Sequence, residues 1–378
     1  MARLIHTADI HLGAPLGWLG PRADTQREQL KRTLSAIIDL AASEHADCLV
    51  VAGDLFDSQS PPASDVRHAI QEFERLRAAS GTQVVILPGS HDYLGPASVY
   101  ATHRKDFARH GSVTVLGLDG RPSCDIPSAE LSLRGTALMS NRSPAHQLAG
   151  LVPDPSYKFN VAVAHGSLTT APVSADDHPI DPAELRGWSY VALGHWHSWR
   201  EIGANPPEAL YPGAPEVVAI DQVGAGHVAI VDIDERGTRV RRQRVGLRSV
   251  AAVDVDLTGV SALSGAIERV RAQAPPDGDT ILRLSLQGLI SLDCGLDFDS
   301  LRELLEGDYF HVAPGRRDYH LRLDEAELGA LPERLVVGRF ARLMRSRCEE
   351  TSSEAEKQEI EDALQLGVAL LQGKDVLG

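Results

Sequence analysis

Cysteine is scarce in this chain, with four in 378 residues, at Cys48, Cys124, Cys294 and Cys348. No two form a CxxC pair, which argues against a disulfide framework or a thiolate zinc site. Cys48 opens an apolar run and reads as a small core residue. Long apolar runs are also missing. None approaches the roughly 18 residues that span a bilayer, so no membrane anchor is expected. The opening segment Met1-Ala2-Arg3-Leu4-Ile5-His6 has no extended apolar stretch and runs straight into a candidate strand. A cleaved leader is therefore not expected, and a cytoplasmic location follows as an expectation. Positive charge is in deficit: 37 Lys and Arg stand against 52 Asp and Glu, a net charge of −15. That weighs against nucleic-acid binding through a broad basic surface. It leaves open a protein that meets phosphates through metal ions.

What is present is an ordinary globular composition, 43% hydrophobic and 24% charged, in a chain long enough for two or three structural units. Up to about residue 220, short apolar runs alternate with helical patterns, which predicts an α/β layer fold. The runs are Leu4-Ile5, Cys48–Ala52, Val84–Leu87, Val113–Leu116, Val161–Ala164 and Tyr190–Leu193. Helices are expected over Thr25–Glu44 and Pro62–Ala79. The first carries Leu30, Leu34, Ile37, Ile38 and Ala41 at helical spacing.

From 221 the texture changes. His227–Ile233 and Arg239–Val245 read as a hairpin, and Val250–Leu257 as a third strand. A helix over Ser261–Gln273, a strand over Thr280–Gln287 and a short helix over Asp299–Leu305 follow. This reads as an α+β unit over 221–325. Residues 326–378 look helical. Val336, Phe340, Leu343 and Met344 form one stripe, and a candidate capping box at Ser353 and Glu356 opens a second helix. Both stripes fit core packing or docking on a partner. Six arginines (Arg236, Arg239, Arg241, Arg242, Arg244, Arg248) fall in one stretch without an acid. They fit a solvated strand pair or a phosphate-contacting surface.

Five short polar motifs share one placement, each directly after an apolar strand. They are Asp9-Ile10-His11, Gly53-Asp54-Leu55-Phe56-Asp57, Gly89-Ser90-His91-Asp92, His165-Gly166 and Gly194-His195-Trp196-His197. The carboxyl edge of an open α/β sheet is where ligands bind. In an extended segment, side chains at i and i+2 point the same way, so Asp9 with His11, and His195 with His197, can face one ion. Imidazole and carboxylate together suit divalent first-row metals. Asp9, His11, Asp54, His165, His195 and His197 are too many for one ion and fit two, with a carboxylate such as Asp54 as the bridge. Such a pair activates water and holds phosphate oxygens during in-line displacement. Any one motif alone fits a structural histidine; five in this order do not fit chance.

The motifs DxH, GDxxD, GxHD, HG and GHxH in this order resemble the calcineurin-like metallophosphoesterases. More narrowly, Ile5–Gly13, Gly53–Asp57, Tyr190–His197 and Tyr211–Glu216 resemble the SbcD/YhaO-type DNA-repair exonucleases. The resemblance implies a four-layer α/β/β/α sandwich as a catalytic domain over 1–220. It further implies a DNA-contacting capping domain over 221–325 and C-terminal partner-docking helices over 326–378. It implies two divalent ions, manganese, the first on Asp9, His11, Asp54 and His197. The second would sit on Asp54, His165, His195 and the residue before the GxHD histidine. That residue is asparagine in the family and Ser90 here, so the second site is expected to be weakened.

His91 matches the catalytic histidine, which stabilises the transition state or protonates the leaving oxygen, with Asp57 orienting it. Asp57 also fits a helix cap or turn, and Asp92 reads as a loop residue. The implied function is a DNA exonuclease, with possible endonuclease action, in repair or end processing. The implied partners are DNA, an SbcC/YhaN-like coiled-coil ATPase and a second copy of the chain. Two alternatives stay open. One is a small-molecule phosphodiesterase or phosphatase. The other is a scaffold subunit whose site is attenuated at Ser90.

Overall fold

The computed structural model describes residues 1–378 except 110, 112, 170–177, 204–207, 292–295, 324 and 374–378. Cys294 lies outside the described residues. Contacts divide the chain into Met1–Val250 and Ala251–Gly378. The first unit carries strands β1 (Ala2–Thr7), β2 (Cys48–Ala52), β3 (Gln83–Leu87), β4 (Val113–Val115), β5 (Ser123–Ile126), β6 (Leu131–Gly135) and β7 (Phe159–His165). It continues with β8 (Ser167–Leu168), β9 (Pro179–Ile180), β10 (Tyr190–Gly194), β11 (Arg200–Ile202), β12 (Ala209–Tyr211), β13 (His227–Asp234) and β14 (Gly237–Arg244). Its helices are α1 (Ala23–Ser43), α2 (Ala63–Ser80), α3 (Val99–Thr102) and α4 (Arg104–Ala108).

Two six-stranded sheets organise this unit, in the orders β14-β13-β1-β2-β3-β4 and β11-β12-β10-β7-β6-β5. β1 to β4 are parallel neighbours. Parallel strands need long crossovers, and α1 and α2 supply them. Both helices form where the sequence pattern places them. α2 starts after Pro62 and ends at Gly81, whose left-handed backbone (φ 74°) lets its N–H bond the Arg77 carbonyl. The sheets pack face to face. Leu4, Val50 and Val85 of the first meet Leu131, Val161, Ala192 and Leu210 of the second in one core. Every residue of β2 is buried, on both faces, as expected of a covered parallel strand. The outer face of the second sheet (Ala162, Ala164, Val191, Leu193) is closed by Leu148, Ile180 and Leu185.

The hairpin expected to open a separate unit at 221 does not do so. β13 pairs antiparallel with β1, Ala2 opposite Ile233 and His6 opposite Ala229, and β14 takes the sheet edge. The physical reason is burial. Val228 to Asp232 is buried on both faces, so β13 needs an interior position, while the arginine-rich β14 is mostly exposed. A charged edge strand resists pairing with other chains. The arginines also find partners outside their own run: Arg239 pairs with Asp234 at 2.9 Å, and Arg241 with Glu44 at 3.1 Å.

In the second unit, β15 (Ser249–Asp256), β16 (Asp277–Ser291) and β17 (Tyr309–Arg322) form a three-stranded sheet. Helices α5 (Leu263–Gln273) and α6 (Phe298–Leu305) share its core through Ala266, Val270, Leu301 and Leu305. β17 has no counterpart among the sequence expectations, and Pro314-Gly315 lies inside it. The pair coincides with a register irregularity: Leu284 faces Pro314, and Leu286 faces Arg317. Helices α7 (Glu325–Ala330), α8 (Val336–Glu350) and α9 (Glu354–Leu371) follow. They bury Leu328, Ala341, Leu364 and Val368 against Phe340 and Met344. The Ser353 side chain caps α9 by accepting from Glu356 N–H. Val336 and Leu343, from the same predicted stripe, are 70% and 62% exposed. No helix among the described residues is long and apolar enough to cross a membrane.

Candidate metal centre

β1, β2 and β3 run parallel in one sheet, β7 and β10 in the other, and each releases the chain into one of the five motifs. The loops are laced together. Asp9 N–H bonds the Gly53 carbonyl at 3.1 Å, His11 N–H that of Asp54 at 3.0 Å, and Leu12 N–H that of Leu55 at 3.0 Å. Extended-strand alternation is not what gathers the side chains. Asp9 (φ 54°), His11 (φ 51°), Asp54 (φ 51°) and His195 (φ 102°) all turn through left-handed backbone. Such conformations cost non-glycine residues roughly 1–3 kcal/mol each and persist only where the surroundings enforce them. Two glycines are fixed by proximity. A Cβ at Gly53 would stand 1.9 Å from His165 Nδ1, and one at Gly89 2.3 Å from Asp54 Oδ1.

Asp54 lies at the centre. Its Oδ2 is 3.1 Å from His165 Nε2 and 3.9 Å from His11 Nε2. The same oxygen accepts from Ser90 Oγ at 3.2 Å, and Oδ1 accepts from His91 N–H at 2.8 Å. Asp9 receives the main-chain N–H of His195, 3.1 Å from both oxygens, and lies 3.8 Å from His197 Nε2. The Nε2 atoms of His11 and His197 are 3.3 Å apart. Two donor sets result, Asp9-His11-His197 and Asp9-Asp54-His165, each with its donor atoms within 4.8 Å of one another. A third, His11-Asp57-His91, adjoins them. The His195 ring stands edge-on to His165 with centroids 5.3 Å apart.

The outer nitrogens set which atom faces inward. His165 Nδ1 donates to the Ala52 carbonyl at 3.0 Å, and His11 Nδ1 donates to Asp57 Oδ1 at 3.0 Å. Each leaves Nε2 toward the cluster, the usual arrangement behind a metal-binding imidazole.

Asp9, Asp54 and His165 are almost wholly buried. Burial pushes the Asp9 carboxyl up to about 6, against the pull of His165. Burial also opposes charge on Asp54, but His165 and His11 outweigh it and hold the carboxyl well below its ordinary range. His165 is the counterpart: burial disfavours its charge, and Asp54 and Asp9 nevertheless raise it to about 9. Burial and the nearby His11 lower His197 to about 3. The cluster is therefore two buried carboxylates whose positive neighbours are imidazoles with their lone pairs or protons aimed inward. A divalent cation would fill the role those protons now serve, so the donor chemistry fits a metal.

All nine residues singled out in the sequence fall in or against this cluster. Ser90 reaches it despite its short side chain, lying 3.4 Å from His165 Nε2 as well as against Asp54. The arrangement of Asp57 differs from expectation. Its carboxylate serves His11, while His91 Nδ1 rests on the Asp57 main-chain oxygen at 3.0 Å and is 3.9 Å from the carboxylate.

Two residues were undervalued or missed. Asp92 is not a mere loop residue. It is fully buried and accepts from Gly89 N–H (2.7 Å), Phe56 N–H (3.1 Å) and Tyr100 Oη (2.5 Å), joining the loops that carry Asp54 and Ser90. Its place in the GxHD motif was the available signal. Gln222 meets His197 Nδ1 through its amide nitrogen, and its oxygen accepts from Val218 N–H (2.8 Å) and Ala219 N–H (3.1 Å). It sits in irregular chain far from the motifs, and no sequence signal marks it.

Comparison with known proteins bears on the same part of the chain. The family profile described as calcineurin-like phosphoesterase matches residues 2–199. The chain is 27% identical over 307 residues to the uncharacterized metallophosphoesterase YhaO of Bacillus subtilis, covering 75% of this chain and 71% of that one. It is 24% identical over 282 residues to the DNA double-strand break repair protein Mre11 of Aeropyrum pernix, covering 71% and 67%. Against Mre11 of Methanopyrus kandleri it is 27% identical over 257 residues, covering 64% of this chain and 52% of the relative.

Proposed function

Given that the chain belongs to the calcineurin-like phosphoesterase family, we propose that it is a two-metal phosphodiesterase that cleaves DNA as an exonuclease. The observation that carries this is the position of Asp54, one buried carboxylate set between His165 on one side and His11 on the other. Asp9, His11, Asp54 and His197 would hold the first ion, and Asp54, His165, His195 and Ser90 the second. When bound, the two ions, manganese in this reading, supply Lewis-acid polarisation of the phosphate and acidification of a water molecule.

The chain's own residues do the remaining work. The Nδ1–H of His91 donates to the Asp57 carbonyl, which leaves Nε2 of the half-exposed ring for substrate, where as the imidazolium it would protonate a leaving oxygen. His91 also packs edge-on against His11 with centroids 4.8 Å apart, so it is registered to the first donor set. Asp57 fixes His11, and Asp92 fixes the loops. The similarity to proteins named for DNA double-strand break repair supports DNA as the substrate.

In this reading the chain acts in DNA repair or end processing with an SbcC/YhaN-like coiled-coil ATPase, as a homodimer in the cytoplasm. The exposed Val336 and Leu343 of α8, with Leu370 and Leu371 of α9, support docking of the ATPase there. The arginine-rich β14 and the 251–325 part of the second unit would contact the duplex backbone.

The test is cleavage of linear duplex and single-stranded DNA by manganese-loaded protein, alone and with the ATPase. Manganese-dependent cleavage that Asp54→Asn abolishes is expected, and its absence under every condition overturns the proposal. A weakened second site has its own support in Ser90, which donates to Asp54 where the family carries an amide. Turnover of small phosphodiesters without any action on DNA would favour the small-molecule alternative.

A further inference from the structure

Among Gly194, His195, Trp196 and His197, Trp196 alone is exposed, with 45% of its surface in solvent. The tryptophan is directly bonded to both flanking histidines, so its Cα lies one peptide unit, about 3.8 Å, from each of theirs. It is held in place rather than loose. Its Nε1–H donates to Ser167 Oγ at 3.2 Å, which fixes the indole edge beside the strand end that carries His165. The Arg200 guanidinium, on the exposed edge strand β11, lies 5.6 Å from the ring centroid, within cation–π reach. Holding a large aromatic in water costs burial it would otherwise gain, and core packing does not account for it here. With Arg200 over the ring, the exposed 45% of Trp196 still offers aromatic surface, and a fixed aromatic carrying an arginine next to the candidate metal centre is the combination that single-stranded nucleic acids use: stacking for the base, cationic contact for the backbone.

We propose that Trp196 is a base-stacking platform for the nucleotide adjoining the phosphodiester held at the metal centre, with Arg200 against the flanking phosphate. The inference rests on the phosphodiesterase reading above and adds the substrate feature that is read. That feature is a nucleobase with a free face, as in a single strand or a frayed end. A base inside a duplex has both faces covered by its neighbours and cannot use the platform. Every base has a π face, so the preference is for unpaired over paired bases and not for sequence. A polynucleotide and a free nucleotide diester share this chemistry, and the test separates them.

The full chain is loaded with calcium, so that binding is read without turnover, and titrated with three probes: a short oligothymidylate, an abasic strand of equal length, and a mononucleotide methyl diester. Tryptophan fluorescence and anisotropy report binding. Wild type should prefer the oligothymidylate over the abasic strand by about tenfold to a hundredfold. Trp196→Ala should bind both strands alike, and Trp196→Phe, which keeps a π face and comparable bulk, should recover most of the preference. Equal preference in Trp196→Ala and wild type overturns the platform, and so does a Trp196→Phe variant that is folded but shows no preference. Trp196-dependent binding of the mononucleotide diester with no binding of either strand supports the platform and overturns the DNA reading. Binding of none of the three overturns both.

Discussion

Asp57 gives its carboxylate to His11 and only its main-chain oxygen to His91: Oδ1 is 3.0 Å from His11 Nδ1 and 3.9 Å from His91 Nδ1. A carboxylate behind a ligating imidazole orients the ring and raises its basicity, and its loss typically costs 10- to 100-fold in metal affinity. Asp57→Asn should therefore weaken manganese binding by about that factor, measured by calorimetric titration. His91→Ala should leave manganese affinity nearly unchanged and lower turnover by about 10²- to 10⁴-fold. An Asp57→Asn protein with full manganese affinity and an altered pH–rate profile alone would return Asp57 to the role of orienting His91.

Ser90 already touches the second donor set, with Oγ 3.2 Å from Asp54 and 3.4 Å from His165. An amide oxygen at this position would offer a stronger neutral ligand than a hydroxyl that is occupied in donating to Asp54. Ser90→Asn should raise the manganese stoichiometry after desalting from below two toward two per chain, read by elemental analysis, with a parallel gain in turnover. A wild-type chain that already retains two ions, with no gain in the variant, would show that the hydroxyl suffices.

Much of this was legible in the sequence, for a physical reason. A parallel strand covered on both faces must be a continuous apolar run, so Cys48–Ala52 and Tyr190–Gly194 announce themselves, and the polar residues at their ends stand out. What pairs with what is not local information. Nothing within His227–Asp234 says that its neighbour is β1, more than two hundred residues away. β17 contains Pro314-Gly315, and a strand irregularity and a chain break use the same residues. In the site, ligand types at strand ends were readable, but the hydrogen bonds behind them were not. Whether Asp57 turns to His11 or His91 depends on left-handed backbone at Asp9, His11 and Asp54 that no spacing rule foretells.

Asp92 makes a stability prediction. Its carboxylate satisfies two main-chain N–H groups and the Tyr100 hydroxyl in a fully buried position. Asp92→Ala strands all three, and buried donors left unpaired cost about 1–3 kcal/mol each, so a loss of roughly 3 kcal/mol or more is expected. Tyr100→Phe removes one partner and leaves Asp92 two, for about 1 kcal/mol. Urea unfolding of the metal-free proteins separates the two values. Equal, small effects would mean the loops hold without this carboxylate.

Asp9 couples stability to metal in the opposite sense. Its carboxylate is fully buried, burial pushes it up to about 6, and Asp54 adds a second negative charge nearby. In metal-free protein near neutral pH the ionised group is held against its preference. Asp9→Asn keeps an oxygen for the His195 N–H and removes the charge, so the metal-free variant should melt no lower than wild type, and higher by about 1–2 °C for each kcal/mol relieved. Manganese should reverse the order. A ligand present at a hundredfold its dissociation constant stabilises the native state by about 2.7 kcal/mol, and only wild type gains it. Thermal scans of both proteins with chelator and with manganese check this. A variant that melts well below wild type in chelator would show that Asp9 stabilises the fold outright, and its burial would then not be a cost borne for the ion.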